Sequence, residues 1–267
     1  MKFRMDSFSK SFLISLVAFA LIAAIVIAYM YMDRVAVDPT KRESNLLIGL
    51  THNGKLLSIS MLNCDPKNNE ITYLAIPDNT MLSDGRILQD LYGWMNTREM
   101  ISSIEDITGA RVNRYIFFST DAVYSITNDV GKFEYLIRFP FKHNDIEHSG
   151  NTYMNGELSK AMFTYGGYDM TNVSLSIIGE SFLQNFLSKH ANNSSIDKLT
   201  DAIVAEKSSL HLNTNLSNDE IVEYCSFFAN FSTLNQSTVS IDGEIRYTST
   251  NKFFYPTNNK SDKNIFK

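Results

Sequence analysis

The apolar positions fall into one long unbroken run and a succession of short ones. Residues 12–32 carry no charged side chain, and at about 1.5 Å per helical residue such a run crosses about 30 Å of hydrocarbon. A buried core helix of that length would show a polar face, and Ser15 is the strongly polar residue before the tyrosines. A cleaved signal peptide would have a shorter apolar core, about 7–15 residues, and a small-x-small site, which does not follow Tyr31. The run therefore predicts an uncleaved transmembrane anchor over 12–32, after a cytoplasmic tail over 1–11. Lys2, Arg4 and Lys10 precede it against Asp6, so the expected placement is single-pass in the plasma membrane, N-terminus cytoplasmic and C-terminal domain extracytoplasmic.

A polar stretch over 33–44 reads as a linker, after which the periodicity shortens. Residues 46–50 form an apolar run fit for a buried strand. Segments 56–63 and 70–76 follow as a hairpin, joined by Asp65-Pro66-Lys67-Asn68-Asn69 with its turn chemistry. Asn96 can cap a helix with Glu99 three residues on; Met100, Ile101, Ile104 and Ile107 then share a face before Gly109 stops it. A strand over 115–118, a short helix over 121–128 ending near Gly131 and a strand over 133–139 come next. Residues 156–165 read as a helix, and Ile178, Phe182 and Phe186 with Leu183 and Leu187 make the apolar stripe of a longer one. Ser217 and Glu220 form a second capping box ahead of Ile221, Tyr224, Cys225 and Phe228. Asp242-Gly243 predicts a hairpin between 239–241 and 245–247, and the polar tail over 256–267 reads as loose. Alternating strands and helices argue for one α/β domain over 45–255.

Charge narrows the function classes. The first 32 residues hold three basic and one acidic side chains, which leaves 21 Lys/Arg against 28 Asp/Glu, a net of −7. An acidic domain without a Lys/Arg stripe excludes nucleic acid as a partner. Cys64 and Cys225 lie far apart, each in an apolar stretch, so a single disulfide and two buried thiols both remain open, with buried thiols the default in a domain large enough to bury a core. His143, Asp145, Glu147 and His148 crowd together but fall in a polar loop after Pro140 with no frame to fix a metal's geometry. Phe117, Phe118, Phe182 and Phe186 read as core by default and as the wall of a lipid-sized groove otherwise.

The order of motifs resembles the LytR-CpsA-Psr (LCP) family, membrane-anchored enzymes that transfer glycopolymers from a polyprenyl carrier to peptidoglycan in Gram-positive bacteria. In that family an anchor precedes a strand ending in Gly, a hairpin with an Asn/Asp-Pro-Lys turn and an Ile-Pro-Arg-Asp-Thr motif. Here the order reads Leu47-Ile48-Gly49, Asp65-Pro66-Lys67 and Ile76-Pro77-Asp78-Asn79-Thr80. It continues through Tyr92-Gly93, Thr108-Gly109, Asn128-Asp129-Val130-Gly131 and Asn155-Gly156-Glu157 to Leu216-Ser217. The resemblance implies a three-layer α-β-α sandwich with a mixed central sheet behind one transmembrane helix.

It also implies a chemistry: a sugar hydroxyl attacks the phosphate next to the glycopolymer, and magnesium held by aspartates, with several arginines, neutralises the pyrophosphate. This chain departs from that pattern. The family's aspartates fall at Thr51 or His52 and at Leu57, its motif arginine at Asp78, and its later arginines near Thr164-Tyr165-Gly166 and within 172–179, an interval with no basic residue. The expectation is a degenerate member, leaning away from an enzyme, with no catalytic residue and with the family's magnesium lost. Asp78, Asn79, Arg86 and Arg114 are the candidate ligand-binding residues; Arg86, Arg114 and Lys55 are the candidate substitutes for the missing cations, and all three read by default as exposed surface charges. The expected partners are the membrane, a polyprenyl-linked glycan or peptidoglycan, and an active relative. Two other readings stay open: a transferase rebuilt from Asp84, Arg86, Asp90 and Arg114, and an unrelated binding or sensor ectodomain.

Overall fold

Alternation along the first three strands sets both faces of the sheet. In β1 (Ser44–His52) Leu46, Ile48 and Leu50 point to one side and Leu47 to the other. β2 (Lys55–Asp65) divides likewise, Leu62 and Cys64 against Ile59 and Met61. β3 (Glu70–Ile76) sends Ile71 and Tyr73 one way and Leu74 and Ile76 the other. Helices cover both faces, which is why these strands read as near-continuous apolar runs. Asn53 and Gly54, at φ 50° and 76°, make the tight turn between β1 and β2.

This computed structural model describes residues 21, 37–92, 97–168, 174–247, 252–257 and 264–266. Its central sheet has the order β7 (Leu212–Thr214), β4 (Arg114–Ser119), β1, β2, β3, β8 (Asn235–Val239). β4 runs parallel to β1, and β8 parallel to β3, while β7 closes the far edge antiparallel. The sheet is mixed, as expected. One face carries the 3-10 turn Leu88–Leu91 and α1 (Thr97–Thr108), which bury Leu88, Leu91, Met100 and Ile104 against Leu47 and Phe117. The other carries α2 (Thr120–Val130), α3 (Gly156–Thr164), α4 (Leu175–His190), α5 (Ile196–Ser208) and α6 (Asn218–Phe228). The capping box at Ser217 and Glu220 is formed.

Several local expectations are corrected. The polar stretch after Pro140 is not a loop. β5 (Phe133–His143) pairs antiparallel with β6 (Ile146–Met154) around Asn144 and Asp145, both at positive φ, and Phe133, Tyr135, Ile137 and Phe141 face inward. The last hairpin has different partners: β9 (Gly243–Tyr247) pairs with β10 (Lys252–Pro256), while Val239 belongs to β8 on the central sheet. α5 and β7 have no counterpart in the sequence reading. At the two margins Val37 is buried, its N–H donating to Glu220, and Ile265 N–H donates to Thr108 O while packing with Phe266 against the α1 face.

The anchor predicted over 12–32 lies outside the described residues apart from Leu21, and so does the cap at Asn96. Among the described residues no helix is long and apolar enough to cross a membrane. The longest, α4, has 16 residues, about 24 Å at about 1.5 Å per residue, and carries Glu180, Lys189 and His190. The single-pass plasma-membrane placement is corrected accordingly: no described helix supplies its span.

Candidate functional site: an apolar seam and a polar cleft on two faces of α4

α4 reaches the sheet through its smallest side chains. Gly179 lies over Ser58 of β2, where a Cβ would overlap the serine hydroxyl. The Ser176 hydroxyl accepts from Ile59 N–H at 3.4 Å. Past this contact Phe182, Leu183 and Phe186 stand away from β1 and β4 and leave a partly open pocket of about 100 Å³, lined also by Val123 and Ile126 of α2. A second cavity of about 90 Å³ shares Ile48, Phe118, Ile126, Leu183 and Phe186 with the first. Together they form an apolar seam whose walls carry no Asp, Glu, Lys, Arg or His. Phe118, Phe182 and Phe186 therefore line the seam, whereas Phe117 is core on the opposite face.

The adjoining face of α4 borders a larger cleft of about 830 Å³. Its floor is the motif loop, which β10 fastens in place. Phe254 N–H donates to Asn79 O at 3.2 Å, Met81 N–H to Phe254 O at 2.7 Å, and Asn79 Nδ2 to Lys252 O at 2.8 Å. Asp78 and Glu180 are the acids of this lining and Lys252 its base. Burial pushes the Asp78 carboxyl up to about 6, against the pull of the backbone N–H groups at 78 and 79 and of Lys252. Burial raises Glu180 as well, although Thr238 and Gln184 donate to it. Tyr168 also borders the cleft, and its hydroxyl is buried without a hydrogen-bond partner.

The structure brings Asp78 and Asn79 together in this cleft and places Arg86 and Arg114 elsewhere. Arg86 is exposed, held by Asp84 at 2.6 Å and Glu99 at 2.5 Å. Arg114 is buried on the far side of β1, with Nη2 2.6 Å and Nε 2.7 Å from Glu220 Oε1. The reading from sequence missed Glu180, Tyr168, Thr238 and Lys252. Glu180 did leave a signal, as an acid breaking the apolar stripe between Ile178 and Phe182.

The residues on which the sequence comparison places the family's aspartates do not fit magnesium, which takes hard oxygen ligands. Thr51 Oγ1 donates to Phe118 O at 3.3 Å, the His52 ring lies between Thr120 Oγ1 and Asn53 Nδ2 at 2.7 and 3.0 Å, and Leu57 packs against the core. In the β5–β6 ribbon His143 Nε2 meets Glu157 at 2.9 Å and His148 stacks on Phe141. No group of three acid, His or Cys side chains able to hold a metal ion occurs among the described residues.

No family model matches this chain. A curated relative, the polyisoprenyl-teichoic acid–peptidoglycan teichoic acid transferase TagV of Bacillus subtilis, is 22% identical over 224 residues, 76% of this chain and 55% of the relative. The chain thus spans about half the length of the curated relative it matches. The crystal structure of B. subtilis TagV superposes with a TM-score of 0.66 at 20% identity, covering 81% of this chain and 91% of that one. A structure of TagT bound to LI-WTA superposes with a TM-score of 0.61 at 13% identity, covering 84% and 89%. The chain is thus similar in sequence to TagV and has the fold that the TagV and TagT structures share.

Proposed function

We propose that this domain belongs to the cell envelope and takes the polyisoprenyl class of ligand named for TagV, without carrying out the transfer. The observation that carries the proposal is the apolar seam under the sheet. The seam is partly open and its walls are apolar, and covering apolar surface stabilises by about 25 cal/mol per Å². An apolar chain entering between α2 and α4 would gain that burial.

The absence of transfer is argued from charge. A pyrophosphate in a partly closed site needs cations aimed at it. Asp78 stands where the motif has arginine, Arg86 and Arg114 are engaged with carboxylates, and Thr51, His52 and Leu57 supply no carboxylate for magnesium. The role left is binding or scaffolding, with wall glycan or an active relative as partner.

Purification of the full chain from its own cells, extraction and mass spectrometry test the reading. A co-purifying polyprenyl phosphate is expected, together with no magnesium-dependent transfer or pyrophosphate hydrolysis. A lipid-free protein that binds no added polyprenyl phosphate overturns the ligand class. Turnover that Arg86→Ala abolishes would instead establish a rebuilt transferase.

A further inference from the structure

We propose that the β5–β6 ribbon is a dimerisation element, in which β5 of one copy pairs antiparallel with β5 of a second copy about a twofold axis at Leu136. No residue of β5 or β6 lines the apolar seam or the polar cleft. The inference therefore stands independently of the ligand reading.

The backbone supplies the template. The ribbon is a sheet of two strands, and among the described residues 133–139 make no backbone hydrogen bond outside their ladder with β6. An unpaired edge of good strand-forming residues invites another strand. β5 has that composition, with Phe133, Tyr135, Ile137 and Phe139 aromatic or β-branched, whereas β6 presents Ser149, Gly150 and Asn151. Pro140 has no N–H to give and ends the pairable stretch. The register shift between Ile137 and Phe141 bends the strand at the same place. What remains is one short edge, residues 133–139, with Leu136 at its centre.

Charge identifies the partner as a second copy. Glu134, Leu136 and Arg138 are exposed on the outer face of the ribbon, Leu136 by 47%. Neither Glu134 nor Arg138 has an ion-pair partner among the described residues. Antiparallel pairing about Leu136 sets Glu134 of each copy opposite Arg138 of the other, and Leu136 opposite Leu136. Opposite charges directly across a strand pair stabilise it, and like charges oppose it. Tyr153, 65% exposed and paired with Glu134 on β6, lies diagonal to Leu136, so the apolar strip continues across the joined sheet. Twofold pairing uses each β5 edge once and closes the assembly at two copies.

Sedimentation of the full chain over a range of concentrations tests the pairing, and a reversible dimer is expected. Glu134→Arg and Arg138→Glu should each weaken it about tenfold, because either change sets like charges opposite each other at two points. An equimolar mixture of the two variants should dimerise as the parent does, since every acid then meets a base again. Leu136→Cys should give a disulfide-linked dimer under mild oxidation: directly opposed Cα atoms lie about 4.5–5.5 Å apart, within disulfide reach. Tyr153→Cys should stay monomeric under the same oxidation, because three strand spacings, about 14 Å, separate the two copies of that position. Cys64 and Cys225 are buried and do not compete. A chain that is monomeric at every concentration, a dimer indifferent to both charge reversals, or a mixture that fails to restore association overturns the proposal. Cross-linking through Tyr153→Cys and not Leu136→Cys overturns it as well.

Discussion

Gly179 of α4 faces Ser58 of β2 at a distance that leaves no room for a Cβ. That contact seats the helix directly on the sheet: Gly179 borders the apolar seam and its neighbour Glu180 borders the polar cleft. Gly179→Ala should therefore destabilise the domain by about 1–3 kcal/mol through overpacking, although alanine is better than glycine in a helix interior by about 1 kcal/mol. Ser58→Gly in the same chain should restore most of the loss. Urea midpoints of the two single variants and the double variant check this, and simple additivity would disprove the contact.

A second relationship concerns stability alone. Glu220 accepts from Arg114, Val37 N–H and Ser217 N–H, so one carboxylate ties the start of the domain to β4 and to the cap of α6. Burial pushes this carboxyl up, but the Arg114 guanidinium and the two N–H groups outweigh it and hold the pKa below the usual range. A depressed carboxylate contributes stability above its unfolded pKa, and that contribution is lost as pH falls through the folded one. Arg114→Met should cost about 3–5 kcal/mol at neutral pH by leaving the charge unpaired. Acid titration of stability should then show a shallower decline below about pH 4.5 in the variant than in the parent.

The first three strands were legible because both faces of the sheet are buried, so β1 to β3 announce themselves as apolar runs, the second and third parted by Asp65-Pro66. β6 was not: its residues are mostly exposed or half-buried, and His148, Gly150 and Asn151 read as loop. β8 misled for a different reason. Asp242-Gly243 suggested a local hairpin, but Val239 is claimed by a long-range parallel pairing with Leu74 that no local signal encodes. Among the candidate ligands, Asp78 and Asn79 were legible through their motif. Lys252 joins the cleft only because β10 bonds to the motif loop, and sequence spacing carries no trace of that.

His190 near the end of α4 is buried between Phe133 and Phe186 with Nε2 unpartnered. Burial lowers its pKa; Lys189 and Lys198 push the same way, and the hydrogen bond to the Gly131 backbone opposes them. With the folded pKa below the unfolded one, both states are neutral above about pH 6.5, and the unfolded chain takes up the proton first as pH falls. Stability should accordingly decline with acidification below about pH 6.5. The difference between parent and His190→Phe in chemical denaturation at pH 7 and pH 5.5 isolates this group from the other histidines; an unchanged difference would refute the assignment.

Cys64 and Cys225 are both free and buried. Burial raises both thiols, Cys225 to about 11 despite a hydrogen bond with Thr200, and Cys64 further still. Thiolate is the reactive form, so neither should react with a disulfide reagent at pH 8 in the folded protein, and both should react at once in denaturant. Reaction of either cysteine with the folded chain would show that α6 opens readily from the sheet.

Asp78 holds the place of an arginine in the motif this chain resembles, and the obvious reconstruction is to put the arginine back. The surroundings argue against recovery. A guanidinium at position 78 would share a partly closed cleft with Lys252, leaving Glu180 as the acid of the lining, and like charges in such a setting repel strongly. The magnesium ligands would still be missing, because Thr51, His52 and Leu57 remain, and an aspartate at position 57 would enter a side chain's place packed against the core, at a cost of several kcal/mol unless paired. Asp78→Arg should thus fold with reduced stability and show no magnesium-dependent transfer. A coupled assay with a polyprenyl-pyrophosphoryl glycan and peptidoglycan acceptor decides the matter: turnover in this single variant would mean that one arginine separates the chain from an active enzyme.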